Sequence, residues 1–317
     1  MRAVHYSTFG DTSVLRLAEV DRPVPGPGQV LVKVAGTSFN PVDAAFRAGY
    51  LQQVMPVTLP HIPGIDVAGT IVAGPDSVAG PGVGAGPGFG SGDPVIGFLS
   101  MTASGAAAEF AVAPAEVLTA APTSIPLADA AAVPAVALTA WQGLFEHAEL
   151  RAGQRILING AGGGVGGYAI QFAKQAGATV IATASPRSTA AVRAAGADQI
   201  IDYTATPVTV AITEPVDAVF NLVSADEAAM AGLVALIRPG GVLVSTTSPA
   251  TEDTERKVKT MNMYVRSDAA QLAEIVRRID AGTVTVDISA RYPLAEVAKV
   301  HELSAAGDIR GKVVITI

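Results

Sequence analysis

Residues 156–167 read Ile-Leu-Ile-Asn-Gly-Ala-Gly-Gly-Gly-Val-Gly-Gly, a short apolar run entering a cluster of glycines. From Val165 to Ala176 the apolar residues fall at Val165, Ala169, Phe172, Ala173 and Ala176, a helical spacing, and Gly177 stands where that helix would stop. A second apolar run, Thr179 to Thr183, follows. The order is strand, glycine turn, helix, strand. Glycines without Cβ let the backbone approach a pyrophosphate, and the free N–H groups and dipole of the helix N-terminus hold its negative charge. Gly162, Gly164 and Gly167 fit the Gly-x-Gly-x-x-Gly pattern, while Gly160, Gly163 and Gly166 offer a second register. A glycine turn that only packs a helix on a sheet would have the same composition. The flanking strand and helix favour a dinucleotide site over that reading.

The 317 residues suffice for two domains with sizeable cores. Half of them are hydrophobic and 15% are charged, which excludes a disordered chain. The net charge is −7 and the basic residues are scattered, so the electrostatic footprint of nucleic-acid binding is missing. There is no cysteine, which excludes disulfides, zinc-thiolate sites and a cysteine nucleophile. The N-terminus has no apolar core followed by a cleavage site, which points to the cytoplasm. The uncharged run between Asp129 and Glu146 is shorter than a membrane span and is interrupted by Pro134, so it reads as a buried helix pair.

The first part of the chain alternates short strands and turns: Val4–Tyr6, Val14–Val20, Val30–Val34, a turn through residues 60–66 leading to a strand, then 93–98 and 107–113. One short helix is expected over Asp43–Ala48, closed by Gly49. Residues 74–92 are nearly all Gly, Pro, Ala and Ser and read as a mobile surface loop, with a lid over a ligand as the functional alternative. Near Pro122 the pattern changes. Strands are expected at Arg155–Ile158, Thr179–Thr183, Gln199–Asp202, Ala218–Leu222, Val242–Ser245 and Met261–Val265, with helices such as Thr189–Ala195 and Ala225–Ile237 between them. Six strands with crossover helices imply an α/β fold with a doubly wound, parallel six-stranded sheet. Helices at Ala269–Ala281 and Leu294–Ser304 and a strand at Val313–Ile317 complete the chain and are expected to return to the first domain. The division is thus 1–121 with 266–317, and 122–265.

About 20 residues past the glycines, an acid at the tip of the second strand reads the ribose hydroxyls of NAD. Here that stretch is Thr183-Ala184-Ser185-Pro186-Arg187, with no acid. Ser185 can donate to a 2′-phosphate and Arg187 can pair with it, so NADPH is the expected cofactor.

The chain resembles the zinc-free quinone oxidoreductase branch of the medium-chain dehydrogenase/reductase superfamily over nearly its full length. The resemblance rests on Ser38-Phe39-Asn40-Pro41-Val42-Asp43, Pro63 to Gly69, Gly92-Asp93-Pro94-Val95, Leu138-Thr139-Ala140-Trp141, the glycine cluster, Gly196-Ala197-Asp198 and Arg310 to Val314. It implies a GroES-like catalytic domain wrapped around a Rossmann domain, with NADPH in the cleft between them. It favours the register Gly160, Gly163 and Gly166, and places Gly163, Gly164, Val165 and Gly166 against the pyrophosphate. It implies Ser185, Arg187 and Tyr203 around the 2′-phosphate, and Asn40, Thr139, Asn221 and Val223 near the nicotinamide side. Ser245 and Arg310 would edge the cleft. Many relatives have Asp where this chain has Asn221. Zinc-dependent relatives carry Cys within the stretch matching Phe39–Asp43 and Gly-His-Glu at Gly64-Ile65-Asp66, and those ligands are missing here. No metal is therefore expected.

The reaction such a site supports is hydride transfer from NADPH to an electron-poor acceptor, a quinone or an α,β-unsaturated carbonyl. Asn40, Asp43 and Tyr50 are the candidate substrate-pocket residues. Relatives often have a tyrosine two or three residues past Asp43, where this chain has Ala45 and Phe46, so the proton donor stays unnamed. Two alternatives remain: a biosynthetic reductase or cyclase acting on a larger substrate, and a non-enzymatic NADPH-binding structural or RNA-binding relative. The expected partners are a small-molecule substrate and a second copy of the chain, joined through the edge strand 261–265. Neither nucleic acid nor membrane is expected.

Overall fold

The computed structural model describes residues 1–73 and 88–317. Most of the Gly/Pro-rich stretch read above as a loop or lid, 74–87, lies outside the described residues. The chain divides into two compact units, Met1–Ala135 with Ser267–Ile317, and Val136–Arg266.

The first unit begins with strands β1 (Arg2–His5) and β2 (Arg16–Glu19), an antiparallel pair. Next come β3 (Gln29–Phe39), helix α1 (Pro41–Ala48), β4 (Asp66–Ala73), β5 (Pro94–Phe98), β6 (Phe110–Pro114) and β7 (Leu118–Ala120). α1 starts two residues earlier than the spacing predicts. Pro41 is accepted in its first turn, where no N–H partner is needed, and Gly49 closes it at φ +82°. A 3-10 turn, Asp129–Ala132, precedes α2 (Pro134–Trp141), which is followed by a wider π-type turn over Gln142–His147. Pro134 therefore starts a helix rather than splitting one.

The second unit holds β8 (Arg155–Asn159), α3 (Gly164–Gln175), β9 (Thr179–Ala184), α4 (Thr189–Ala194), β10 (Gln199–Asp202), α5 (Val208–Ala211), β11 (Val216–Asn221), α6 (Glu227–Ala235), β12 (Ile237–Ser245) and β13 (Lys259–Asn262). All neighbours pair in parallel, in the order β10-β9-β8-β11-β12-β13. This is the doubly wound arrangement expected. Several boundaries differ from the sequence reading, among them β12, which starts at Ile237 rather than Val242. α6 stops at Ala235, because Ile237 already pairs with Val216 as a strand residue. β13 runs over 259–262 rather than 261–265, since its pairing with Val242–Ser245 begins at Lys259 and ends at Asn262. The core between sheet and helices is built from Leu157, Ile181, Val219, Leu243, Leu233 and their neighbours.

The chain then adds α7 (Ala269–Asp280), β14 (Ile288–Pro293), α8 (Val297–Ala305) and β15 (Lys312–Thr316) to the first unit. β15 lies antiparallel to β3, with Val313 opposite Phe39. The larger sheet has the order β14-β15-β3-β4-β5-β7, with β6 also on β3. The chain terminus thereby brings Lys312 beside Phe39 and Asn40. β14 and β7 carry no clear alternation in the sequence and were not anticipated there.

Candidate functional site

In the second unit the glycine turn lies at the carboxyl end of β8, and β8 sits centrally between β9 and β11, where the strand order reverses. Ligands of open parallel sheets bind at that switch point. Gly160 adopts φ +86°, which a side chain would resist, and its N–H donates to Thr183 Oγ1 at 2.7 Å. The Ala161 N–H donates to the Thr183 carbonyl at 3.1 Å. A Cβ on Gly166 would lie 2.2 Å from the Ala161 carbonyl oxygen, so the helix can approach the glycine turn this closely only as glycine. Gly163 is the N-cap of α3 and offers no side-chain cap. The first N–H groups of a twelve-residue helix are therefore left for a ligand. These features fit a pyrophosphate, in the register Gly160, Gly163 and Gly166.

A polar lattice ties the strand ends together under this turn. Thr183 Oγ1 donates to Asn159 Oδ1 at 2.9 Å, and Asn159 Nδ2 donates to Asn221 Oδ1 at 2.9 Å. Asn221 is fully buried, and its Nδ2 donates to the Val223 carbonyl at 2.8 Å and to Ser245 Oγ at 3.1 Å. Ser245 Oγ in turn accepts from the N–H groups of Thr247 and Ser248. An aspartate at 221 could not donate to Val223. The amide thus has a structural reason at this position.

The first unit carries a second polar cluster, centred on Asp66. Its Oδ2 accepts from Asn40 Nδ2 at 2.8 Å, from Lys312 Nζ at 3.3 Å and from Ser38 Oγ; its Oδ1 accepts from the Ala135 N–H at 2.7 Å. Lys312 Nζ also donates to Asn40 Oδ1 at 2.6 Å. Burial lowers the Lys312 pKa, and the Asp66 carboxylate beside it acts in the opposite direction. Next to this cluster, Asp43 accepts from the N–H groups of Asn40 at 2.9 Å and Gly64 at 3.0 Å. Its pKa is pushed up to about 6, chiefly by burial, with the two N–H groups opposing. Asp43 thus both caps α1 and anchors the turn before β4. A small cavity beside it is lined by Ser38, Phe39, Gly64, Val300 and His301.

Comparison with known proteins follows the same lines. The alcohol dehydrogenase GroES-like domain matches residues 26–123, and a domain described as zinc-binding dehydrogenase matches residues 195–315. The chloroplast envelope quinone oxidoreductase homolog of Arabidopsis thaliana is 32% identical, covering 99% of this chain and 98% of that protein. The chloroplastic NADPH-dependent alkenal/one oxidoreductase of the same plant is 33% identical over 99% of this chain and 79% of its own. The chain belongs to the quinone oxidoreductase-like branch of the medium-chain dehydrogenase/reductase superfamily. The solved quinone oxidoreductase from Coxiella burnetii superposes with a TM-score of 0.89 at 29% identity, over 100% of this chain and 99% of that one.

Membership makes this chain an oxidoreductase of a pyridine-nucleotide-dependent family acting on small molecules. The residues singled out in the sequence fall into several groups in this medium-chain dehydrogenase/reductase fold. Gly160, Gly163, Gly164, Val165 and Gly166 form the turn and the first helical residues at the switch point, with Asn221, Val223 and Ser245 on the neighbouring strand ends. Ser185 and Arg187 occupy the turn after β9, and Tyr203, half-exposed, follows β10. Thr139 is buried in α2. Asn40 is buried, with both ends of its amide held by Asp66 and Lys312. Tyr50 follows the end of α1 and is 83% exposed. Arg310 pairs with Asp287 at 2.9 Å. His61 is buried against Tyr6, with ring centroids 5.4 Å apart, and burial lowers its pKa to about 4, keeping the imidazole neutral.

Sequence reasoning gave no site role to Asp66, Lys312, Ser38, Asn159 or Thr183. A signal was present for the first two. Asp66 interrupts the apolar run Ile65-Asp66-Val67-Ala68, and Lys312 opens the apolar strand Lys312-Val313-Val314-Ile315. A charge in such a run is buried and must be partnered. Among the described residues no group of three or more His, Asp or Glu converges as a metal site, and no helix is long and apolar enough to cross a membrane.

Proposed function

We propose that this oxidoreductase takes hydride from NADPH, without a metal, and passes it to a quinone or an α,β-unsaturated carbonyl. The observation that carries the reading is the glycine turn at the switch point, combined with Ser185 and Arg187 in place of an acid after β9. Gly163 to Gly166 would hold the pyrophosphate on the N–H groups of α3. Ser185, Arg187 and Tyr203 would hold the 2′-phosphate, and Thr139, Asn221, Val223, Asn40, Ser245 and Arg310 would serve the nicotinamide side. When bound, NADPH supplies the hydride. The chain's own work is to orient the cofactor, exclude water and support the negative oxygen that develops on the acceptor.

Zinc does not fit the residues present. The Asp66 carboxylate is taken up by Ser38, Asn40, Lys312 and the Ala135 N–H, and the ammonium 3.3 Å away would repel a dication. An electron-poor acceptor needs no Lewis acid, and the names of the two Arabidopsis relatives, a quinone oxidoreductase homolog and an alkenal/one oxidoreductase, agree with that class.

The test is NADPH oxidation against a panel of quinones, enones and aldehydes, with NADH in parallel and with and without a chelator. Turnover of a quinone or enone, faster with NADPH and indifferent to chelation, is the expected result. No activity on either class, or a preference for NADH, overturns the reading.

The same proposal includes a homodimer through the free edge of β13, which carries the half-exposed Met261. A monomer by light scattering would exclude it. Cytoplasmic residence also belongs to this proposal and is checked by cell fractionation.

A further inference from the structure

Gly162 is a glycine that the phosphate chemistry does not explain. Its φ is not in the left-handed range, so the backbone does not demand it. Space does. A Cβ there would lie 2.4 Å from Ser188 Oγ and 2.6 Å from Ser188 Cβ. Gly163 differs, since a Cβ on it would find its nearest neighbour at 3.7 Å. Ser188 thus sits directly on the glycine loop.

Ser188 is buried, and its hydroxyl does not cap α4. Instead that hydroxyl accepts from the Ser185 N–H at 3.2 Å and donates to the Ser185 carbonyl at 3.3 Å. The Ser188 N–H and Thr189 Oγ1 donate to the same carbonyl, each at 2.9 Å. The turn Ser185–Ser188 is therefore one closed unit, and it rests on Gly162. The Gly160 and Ala161 N–H groups latch the other side of the glycine loop to Thr183, two residues before Ser185. The glycine turn thus meets the end of β9 at two points and the Ser185–Ser188 turn at one.

We propose that Ser188, seated on Gly162, is a positioning residue for cofactor choice: it fixes how far the Ser185–Arg187 turn stands from the glycine turn. This rests on the NADPH reading above. The 2′-phosphate and the pyrophosphate belong to one adenosine moiety, so the groups that read them must keep a set separation. A methyl on Gly162 would force Ser188 away by roughly 1 Å to reach ordinary contact. Ser188 carries the bonds that shape the turn, so Ser185 and Arg187 would be carried with it. NADPH binding senses that shift through the 2′-phosphate. NADH has no such group and does not.

The experiment is calorimetric titration of the full-length protein with NADPH and with NADH, for the wild type, Gly162→Ala, Ser188→Ala and the double variant Gly162→Ala/Ser188→Gly. The wild type is expected to favour NADPH by about tenfold or more, as one charge-assisted contact supplies. Gly162→Ala is expected to cut that ratio about tenfold with NADH affinity held within about twofold, on the same scale. Ser188→Ala lowers the ratio without crowding the loop, and the double variant, relieved of the clash but also without the hydroxyl, returns only to the level of Ser188→Ala. An unchanged ratio in both single variants overturns the inference alone, as does an equal loss for both cofactors, which would mean damage to the glycine turn only. A wild type without preference overturns the NADPH reading, and the inference with it. Should Gly162→Ala not fold, an unchanged ratio in Ser188→Ala still overturns the proposal.

Discussion

The Lys312 ammonium lies 3.3 Å from the Asp66 carboxylate, and the two side chains are only 3% and 0% exposed. A buried ion pair of this kind adds little net stability, but removing one partner leaves the other charged and unpaired in a medium that solvates it poorly. Lys312→Met is therefore expected to cost about 3–5 kcal/mol in urea unfolding, and Lys312→Met/Asp66→Asn to recover most of it. A single variant as stable as the wild type would mean that the pair is not formed in solution.

The buried Asp43 makes stability depend on pH. Its pKa rises from 3.8 to about 6 on folding, with burial the largest cause, so between those values the folded state binds more protons than the unfolded one. Its contribution is fully present below about pH 4 and is lost as pH rises through about 6. The loss is about 3 kcal/mol by linkage. In Asp43→Asn the stability difference from the wild type should change with pH over that window and be flat above pH 7. A flat difference throughout would show Asp43 ionised at its ordinary pKa.

Gly163 and Gly166 should respond differently to the same methyl group. Gly166→Ala drives Cβ into the Ala161 backbone at 2.2 Å and is expected to lower stability by about 1–3 kcal/mol or more. Gly163→Ala meets nothing closer than 3.7 Å in the protein. It should unfold within about 1 kcal/mol of the wild type yet weaken NADPH by more than about tenfold, if the pyrophosphate lies over it. Thermal unfolding and titration on the same samples separate the two cases.

Asn221→Asp sets a carboxylate oxygen against the Val223 carbonyl, where the amide now donates at 2.8 Å. A cost of about 1–3 kcal/mol is expected, because a buried acceptor loses its donor and faces another acceptor. Denaturant midpoints measure it. An unaffected midpoint would mean that the lattice rearranges freely.

Arg187→Ala should weaken NADPH by roughly 10- to 100-fold and NADH by far less, the scale of one charge-assisted contact. Equal weakening of the two cofactors would remove Arg187 from phosphate recognition.

The parallel sheet was legible in the sequence because its strands are short apolar runs, and the first crossover helix is bounded by local signals, the glycine cluster before it and Gly177 after it. The nucleotide end was legible for the same reason: its glycines, Ser185 and Arg187 stand close together along the chain. The first unit gave less away. Some of its strands are as short as Leu118–Ala120, and β14 has no clean alternation. The Asp66 cluster gave away least. Asp66 and Lys312 are 246 residues apart in sequence and meet only because β15 returns to lie beside β3. The contact of Ser188 with Gly162 is similar, since no local pattern reports how closely two loops approach. What the sequence determined by itself is the order of elements, the glycine turn, the missing cysteines and the missing acid after β9, all of which act over a few neighbouring residues. What only the tertiary structure decided is which buried charges are paired, which glycines are required by space, and where each amide donates, because packing brings those partners together from opposite ends of the chain.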